Sequence, residues 1–158
     1  MKRKGLALGL IGFTVVLDQW TKSLIAKSMT LYESRPIIRG FINLTYNRND
    51  GAIFGFLSHA GNPAFRWILA LASFLALGLV VFYFVKTAGR DVLMLAALSL
   101  ILAGAVGNNI DRILRGSVID FMDVYIKRWH WPIFNLADSC ISIGACLLLI
   151  VLFRRKPA

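Results

Sequence analysis

Two aspartates stand in apolar surroundings: Asp120 within Ser117-Val118-Ile119-Asp120-Phe121-Met122, and Asp138 within Phe134-Asn135-Leu136-Ala137-Asp138, ahead of an apolar run to Phe153. A carboxylate at bilayer depth costs several kcal/mol (about 3 on insertion scales), so one that is kept there is a candidate for chemistry. Neither has an adjacent base in sequence. If the two meet, both cannot ionise cheaply, and they share one proton. One then acts as base on a water molecule, and its protonated partner polarises a carbonyl. Such hydrolysis needs no metal and no covalent intermediate, so no cofactor is expected. The alternative is two separate packing aspartates; spacing leaves both readings open. Gly116 and Ser117 permit a tight turn before Asp120, and Pro132 is placed to start the last helix. The chain could thus return Asp120 over that helix beside Asp138. Asn135, three residues before Asp138, is expected on the same helix face, where its amide could orient a carboxylate.

The elements that must position this pair are helices in a membrane. The chain has 158 residues and is 58% hydrophobic, and its mean hydropathy is +0.68. That is the composition of a polytopic membrane protein. Four apolar segments, about 5–25, 65–85, 92–110 and 133–153, are each long enough to span a bilayer core of roughly 20 helical residues. Longer loops at about 26–64 and 111–132 separate them. The expected architecture is one membrane domain over 1–158, all-α with a small β element. Basic residues fix the orientation. Lys2, Arg3 and Lys4 precede the first helix, Lys86 and Arg90 lie between the second and third, and Arg154, Arg155 and Lys156 follow the fourth. That side, with both termini, is read as cytoplasmic, and the long loops as outer. Ile37 to Asn47 is rich in β-branched and aromatic residues, with Ile42, Leu44 and Tyr46 alternating with polar neighbours, the period of a half-buried strand. It predicts a small sheet on the membrane surface, followed by a turn at Asn49-Asp50-Gly51. Trp20, Trp67, Trp129 and Trp131 fall near helix ends, as an aromatic belt does.

The remaining charged and reactive residues read as structural. The net charge of +10 sits beside apolar runs and points to anionic lipid headgroups, not nucleic acid. Asp18 and Lys22 have the spacing of an i,i+4 ion pair. Asp111, followed by Arg112, reads as a salt-bridged helix end, and Asp123 as solvated. Cys140 and Cys146 lie roughly 9 Å apart along one helix and cannot bridge. His59 and His130 stand alone, with no metal-ligand spacing.

Several blocks together carry a resemblance. Asp18-Gln19-Trp20-Thr21-Lys22, Asn49-Asp50-Gly51-Ala52-Ile53-Phe54, Gly107-Asn108-Asn109-Ile110-Asp111-Arg112, Val118-Ile119-Asp120-Phe121 and Phe134-Asn135-Leu136-Ala137-Asp138-Ser139 resemble, in order, the signature blocks of the lipoprotein signal peptidase (signal peptidase II) family. One position departs, Ile53 standing where that family's Asn-x-Gly-Ala-Ala-Phe block has its second alanine. The resemblance implies a bacterial inner-membrane aspartic endopeptidase with four transmembrane helices and an extracytoplasmic β-cradle. It implies cleavage of diacylglyceryl-modified prolipoproteins before the lipidated cysteine, and inhibition by globomycin-type cyclic peptides. It makes Asp120 and Asp138 the catalytic pair, Asn108, Arg112 and Asn135 supporting residues, and Asp18, Lys22, Asn49 and Gly51 further family positions. Residues 52–57 are expected to close over the site.

The chief rival is a small transporter or proton-conducting subunit, since intramembrane aspartates also build proton relays. Against it, the acids cluster towards one surface and no inverted repeat is evident. A non-catalytic scaffold would tolerate asparagine at both positions, and a headgroup transferase would call for a His, Ser or metal site.

Overall fold

The computed structural model describes residues 2–49, 63–87, 89 and 91–154, with backbone alone for 63–70. Gly51, residues 52–57 and His59, three of the sequence expectations above, lie outside the described residues.

Apolar periodicity gives four helices: α1 (Lys2–Ser28), α2 (Pro63–Lys86), α3 (Val92–Arg115) and α4 (Leu136–Arg154). Among the described residues, α3 and α4 are long and apolar enough to cross a membrane, and Leu71–Lys86 of α2 is a shorter apolar stretch. Their outward faces are greasy: Leu6, Phe13, Leu75, Val85 and Phe153 are all exposed. The helices close on a cluster of Ala7, Phe84, Met94, Leu95, Leu98, Leu102 and Val151. Small residues bring α3 against α4. A Cβ on Gly144 would stand 2.7 Å from Ile101 Cγ1 and 2.8 Å from the Ala97 carbonyl, so only glycine admits this approach. Lys4 Nζ donates to the Val85 carbonyl (2.8 Å), joining the start of α1 to the end of α2.

At the opposite end lies an antiparallel sheet in the order β1 (Ser34–Ile38), β2 (Ile42–Asn49), β3 (Val118–Ile126), β4 (Trp129–His130). Ile25 and Met29 of α1 pack with Ile119 and Phe121 beneath it, and Leu44 and Tyr46 of β2 join them.

Several boundaries differ from expectation. The single strand over Ile37–Asn47 is a hairpin, because Gly40 (φ +82°) turns the chain between β1 and β2. The third helix continues past Ile110 to Arg115, since Asp111 and Arg115 form an i,i+4 ion pair inside it. It ends where Gly116 adopts φ 74° and donates its N–H to the Arg112 carbonyl, a left-handed cap. The expected loop 111–132 is therefore the end of α3 followed by β3 and β4. Pro132 does not start α4. Phe134 instead bridges to Met122 of β3, and the helix begins at Leu136.

Candidate active site

The three residues before α4 clamp it to β3. The Phe134 carbonyl accepts from Phe121 N (3.1 Å) and Met122 N (2.8 Å), and Phe134 N donates to the Met122 carbonyl. Asn135 follows as the N-cap. Its Oδ1 accepts from Asp138 N (2.9 Å), and Asp138 Oδ2 accepts from Asn135 N (3.2 Å). This is a reciprocal capping box, with aspartate in the place usual for glutamate. Asn135 thus precedes the helix and does not share a face of it with Asp138, as the spacing had suggested. Asp138 is held by backbone at a helix N-terminus, where negative charge is favoured.

Asp120, the third residue of β3, pairs with Asn47 of β2. Between Leu44 and Asn47 the register slips, with one extra residue on β2. Such bulges re-aim side chains beside functional sites. Asn49 Nδ2 donates to Asp120 Oδ2 (3.1 Å) and Asn135 Nδ2 to Asp120 Oδ1 (2.7 Å). Asn135 therefore binds both aspartates. Asp120 is buried. Burial first, and then the nearby Asp138 carboxylate, push its carboxyl up to about 7 against the opposing amides of Asn49 and Asn135.

Behind the pair lies a buried polar cluster. Lys22 Nζ contacts Asp18 Oδ2 (2.9 Å), Asp111 Oδ2 (3.0 Å) and Asn108 Oδ1 (2.9 Å). Lys22, Asp18 and Asp111 are all fully buried. Asp18 Oδ1 also accepts from Ala137 N (3.0 Å), one residue before Asp138. Asp111 Oδ2 accepts from Ile119 N (3.1 Å), one residue before Asp120. Each acid of the cluster therefore holds the backbone beside one aspartate of the pair. Lysine can only donate, so it fixes the Asn108 amide with oxygen inward and nitrogen outward. That nitrogen donates to Asp138 Oδ1 (2.8 Å). Gln19 Nε2 donates to Asp18, Asp111 and the Gly107 carbonyl, and Arg115 donates to Gln19 Oε1 and Asp111. Arg112 is half-buried, within electrostatic reach of Asp138, Asp120 and Asp111.

The structure thus brings Asp18, Lys22, Asn49, Asn108, Asp120, Asn135 and Asp138 into one network, with Arg112 at its edge. The Asp18–Lys22 pair forms as its spacing predicts. Asp111 is a correction: it is no helix-end partner of Arg112 but a buried anion on Lys22 and Arg115. Asp123 is a second, being buried and not solvated, accepting from Asn43 Nδ2 (3.1 Å) and pairing with His130 Nδ1 (2.7 Å). Sequence reasoning passed over Arg115 and Gln19 as site-supporting residues. The i,i+4 spacing of Asp111 and Arg115 could have found the first; Gln19 offers no such signal.

Paired aspartates held by amides, on a body with two helices long and apolar enough to cross a membrane, point to the class of aspartic peptidases. Residues 10–154 match the family model described as signal peptidase (SPase) II. The lipoprotein signal peptidase of Syntrophus aciditrophicus (strain SB) is 48% identical over 158 residues, covering 98% of this chain and 97% of that protein. That of Geobacter sulfurreducens is 47% identical over 143 residues, covering 90% and 88%. A solved structure titled as a bacterial membrane enzyme, determined by the in meso method at 1.9 Å resolution, superposes with a TM-score of 0.81 at 40% identity, covering 96% of this chain and 95% of that one. The chain belongs to the signal peptidase II family.

Proposed function

We propose that this protein removes the signal peptide of diacylglyceryl-modified prolipoproteins, cleaving before the lipidated cysteine, with Asp120 and Asp138 as the catalytic dyad. The observation that carries the assignment is Asn135 bonded to both carboxylates, its side-chain amide donating to Asp120 and its backbone N–H to Asp138, with Asp120 raised to about 7 by burial and its partner. Asp120 carries the shared proton and polarises the scissile carbonyl. Asp138, at the helix N-terminus with two N–H donors, takes the proton of the attacking water. As the tetrahedral carbon collapses, that proton passes to the leaving amine and the dyad returns to its single-proton form.

All four helices span the inner membrane as a single domain, with both termini cytoplasmic and the sheet as an extracytoplasmic cradle at the outer face. There the lipid of the substrate stays in the bilayer while its peptide meets the dyad. A helical substrate must unwind to be cut; Arg112 meets part of its freed backbone, while Asn108 and Asn135 support the dyad. Asn49 steadies Asp120, and Asp18 and Lys22 hold the dyad's backbone and amides. Globomycin-type cyclic peptides occupy the site. No nucleic acid and no cofactor takes part.

The test is cleavage of a prolipoprotein with and without its diacylglyceryl group by wild type, Asp120→Asn and Asp138→Asn. Asparagine keeps the shape and loses the proton transfer, which is worth about 10²–10⁴-fold. Loss in both variants, with cleavage only of lipidated substrate by wild type, is expected. Full activity in either variant would sink the dyad.

A further inference from the structure

The end of the sheet farthest from the dyad carries a feature that catalysis does not use. Ile126 pairs with Trp129, so Lys127 and Arg128 alone make the turn between β3 and β4. Lys127 sits at φ 56°, where a two-residue hairpin favours glycine or asparagine and a long side chain is disfavoured. A strained, charged turn retained at a surface points to a role for the charge. The turn does not stand alone. Tyr125 N donates to the Phe41 carbonyl (2.9 Å), and Gly40 N donates to the Tyr125 hydroxyl (2.9 Å). The β1–β2 turn is thereby tied to the β3–β4 turn. Arg39 lies on the first, Lys127 and Arg128 on the second, and all three are exposed.

The described acids of β3 and of the segment leading into β1 are already paired. Asp123 is buried against His130 and Asn43, and Glu33 is bonded to Arg35 (2.6 Å). Among the described residues, the tips therefore present three cations without a competing acid. Around them stand large apolar side chains: Ile37, Phe41, Ile126, Trp129 and Trp131 are 58%, 45%, 59%, 58% and 53% exposed. Trp129 and Trp131 contact edge to face, with centroids 5.8 Å apart. Exposed aromatics beside unpaired cations suit a bilayer interface, the rings at headgroup level and the cations on phosphate.

We infer that the joined hairpin tips, with Arg39, Lys127 and Arg128, bind the phosphates of anionic phospholipids in the leaflet that the sheet faces. This rests on the reading of the sheet as lying at the membrane surface. From Asp120 to Ile126 along β3 is roughly 20 Å at about 3.3 Å per residue. Pinning the tips to headgroups would thus set the level at which Asp120 meets the peptide.

The experiment uses the full chain in phosphatidylcholine nanodiscs carrying a fixed fraction of either phosphatidylglycerol or phosphatidylcholine brominated on its acyl chains. Tryptophan quenching is read, with Trp129→Phe/Trp131→Phe giving the background from the other tryptophans. Each basic residue at an anionic surface is worth about fivefold in partitioning. The expected result is stronger tip quenching by the phosphatidylglycerol, lost in Arg39→Ser/Lys127→Ser/Arg128→Ser and in high salt. Lys127→Gly alone should weaken the preference by about fivefold while unfolding at an equal or higher temperature, since glycine relieves the turn. Equal quenching by both lipids would reduce the surface to an apolar anchor, and quenching by neither would turn it towards water or a protein; either overturns the inference. Cleavage of lipidated prolipoprotein in the same discs is read separately, so a failure of the peptidase reading is distinguishable.

Discussion

Lys22→Met separates two jobs that one ammonium performs. The Lys22 Nζ neutralises the buried pair Asp18 and Asp111 at 2.9 and 3.0 Å, and it also holds Asn108 Oδ1 at 2.9 Å. With Lys22 and Arg115 opposing two aspartates, the cluster is neutral; without Lys22 it carries one net negative charge among fully buried groups. Removing one partner of a buried pair costs about 3–5 kcal/mol. The remaining donors, Ala137 N to Asp18 and Ile119 N and Arg115 to Asp111, offset part of that. The single variant should therefore unfold well below wild type, read by circular dichroism in detergent. Adding Asp111→Asn restores neutrality, and Lys22→Met/Asp111→Asn should recover most of the lost melting temperature. It does not restore the donor that fixes Asn108. The oxygen of the amide facing Asp138 is then held only by the longer bond from Asn135 Nδ2 (3.2 Å), and misplacement of this kind costs about 10²-fold. Thermal stability should thus return in the double variant while kcat on lipidated prolipoprotein stays about 10²-fold low. If kcat returns with stability, the cluster is only a packing device and the orienting argument is wrong.

Three further outcomes follow from the same geometry. Asp120 is raised to about 7, so the proton it must hold is present below that pH and lost above it; kcat/KM should fall through an alkaline limb near pH 7. Asn135→Ala removes a donor that favours the charged form of Asp120, so this limb should move to higher pH. The same change deletes the N-cap of α4, lowering stability by about 0.5–2 kcal/mol, measured by thermal melts. Gly144→Leu drives a side chain into Ile101 and the Ala97 carbonyl and should cost about 1–3 kcal/mol by overpacking, whereas Gly9→Leu, with open space around it, should leave the melting temperature within a degree or two.

The helices were legible because apolar length and basic flanks are local signals. The dyad was half legible, since Asp120 and Asp138 stand out against apolar neighbours while nothing local says that they meet. Their meeting depends on the Met122–Phe134 bridge and on a bulge in β2, and neither has a sequence signature. Asp111 and Asp123 were misjudged for one reason: adjacent charges suggest a surface. Asp111 points instead at Lys22, 89 positions away in sequence, and only the packing of α1 on α3 makes it buried. Gly107 allows that packing. A Cβ there would lie 2.5 Å from Asp18 Oδ2, a constraint invisible until both helices are placed.

The division of labour between the aspartates follows from the elements that carry them. Asp138 lies in the first turn of α4, with its oxygens on the Asn135 N–H and the Asn108 amide. Asp120 lies on a strand, buried, receiving two neutral amides and facing a second carboxylate, so its surroundings favour the proton. In the proposed mechanism these different surroundings make Asp120 the acid and Asp138 the base. The asymmetry is therefore a consequence of the fold, and Asn135, which caps the helix and donates to the strand, is the residue through which the two halves are joined.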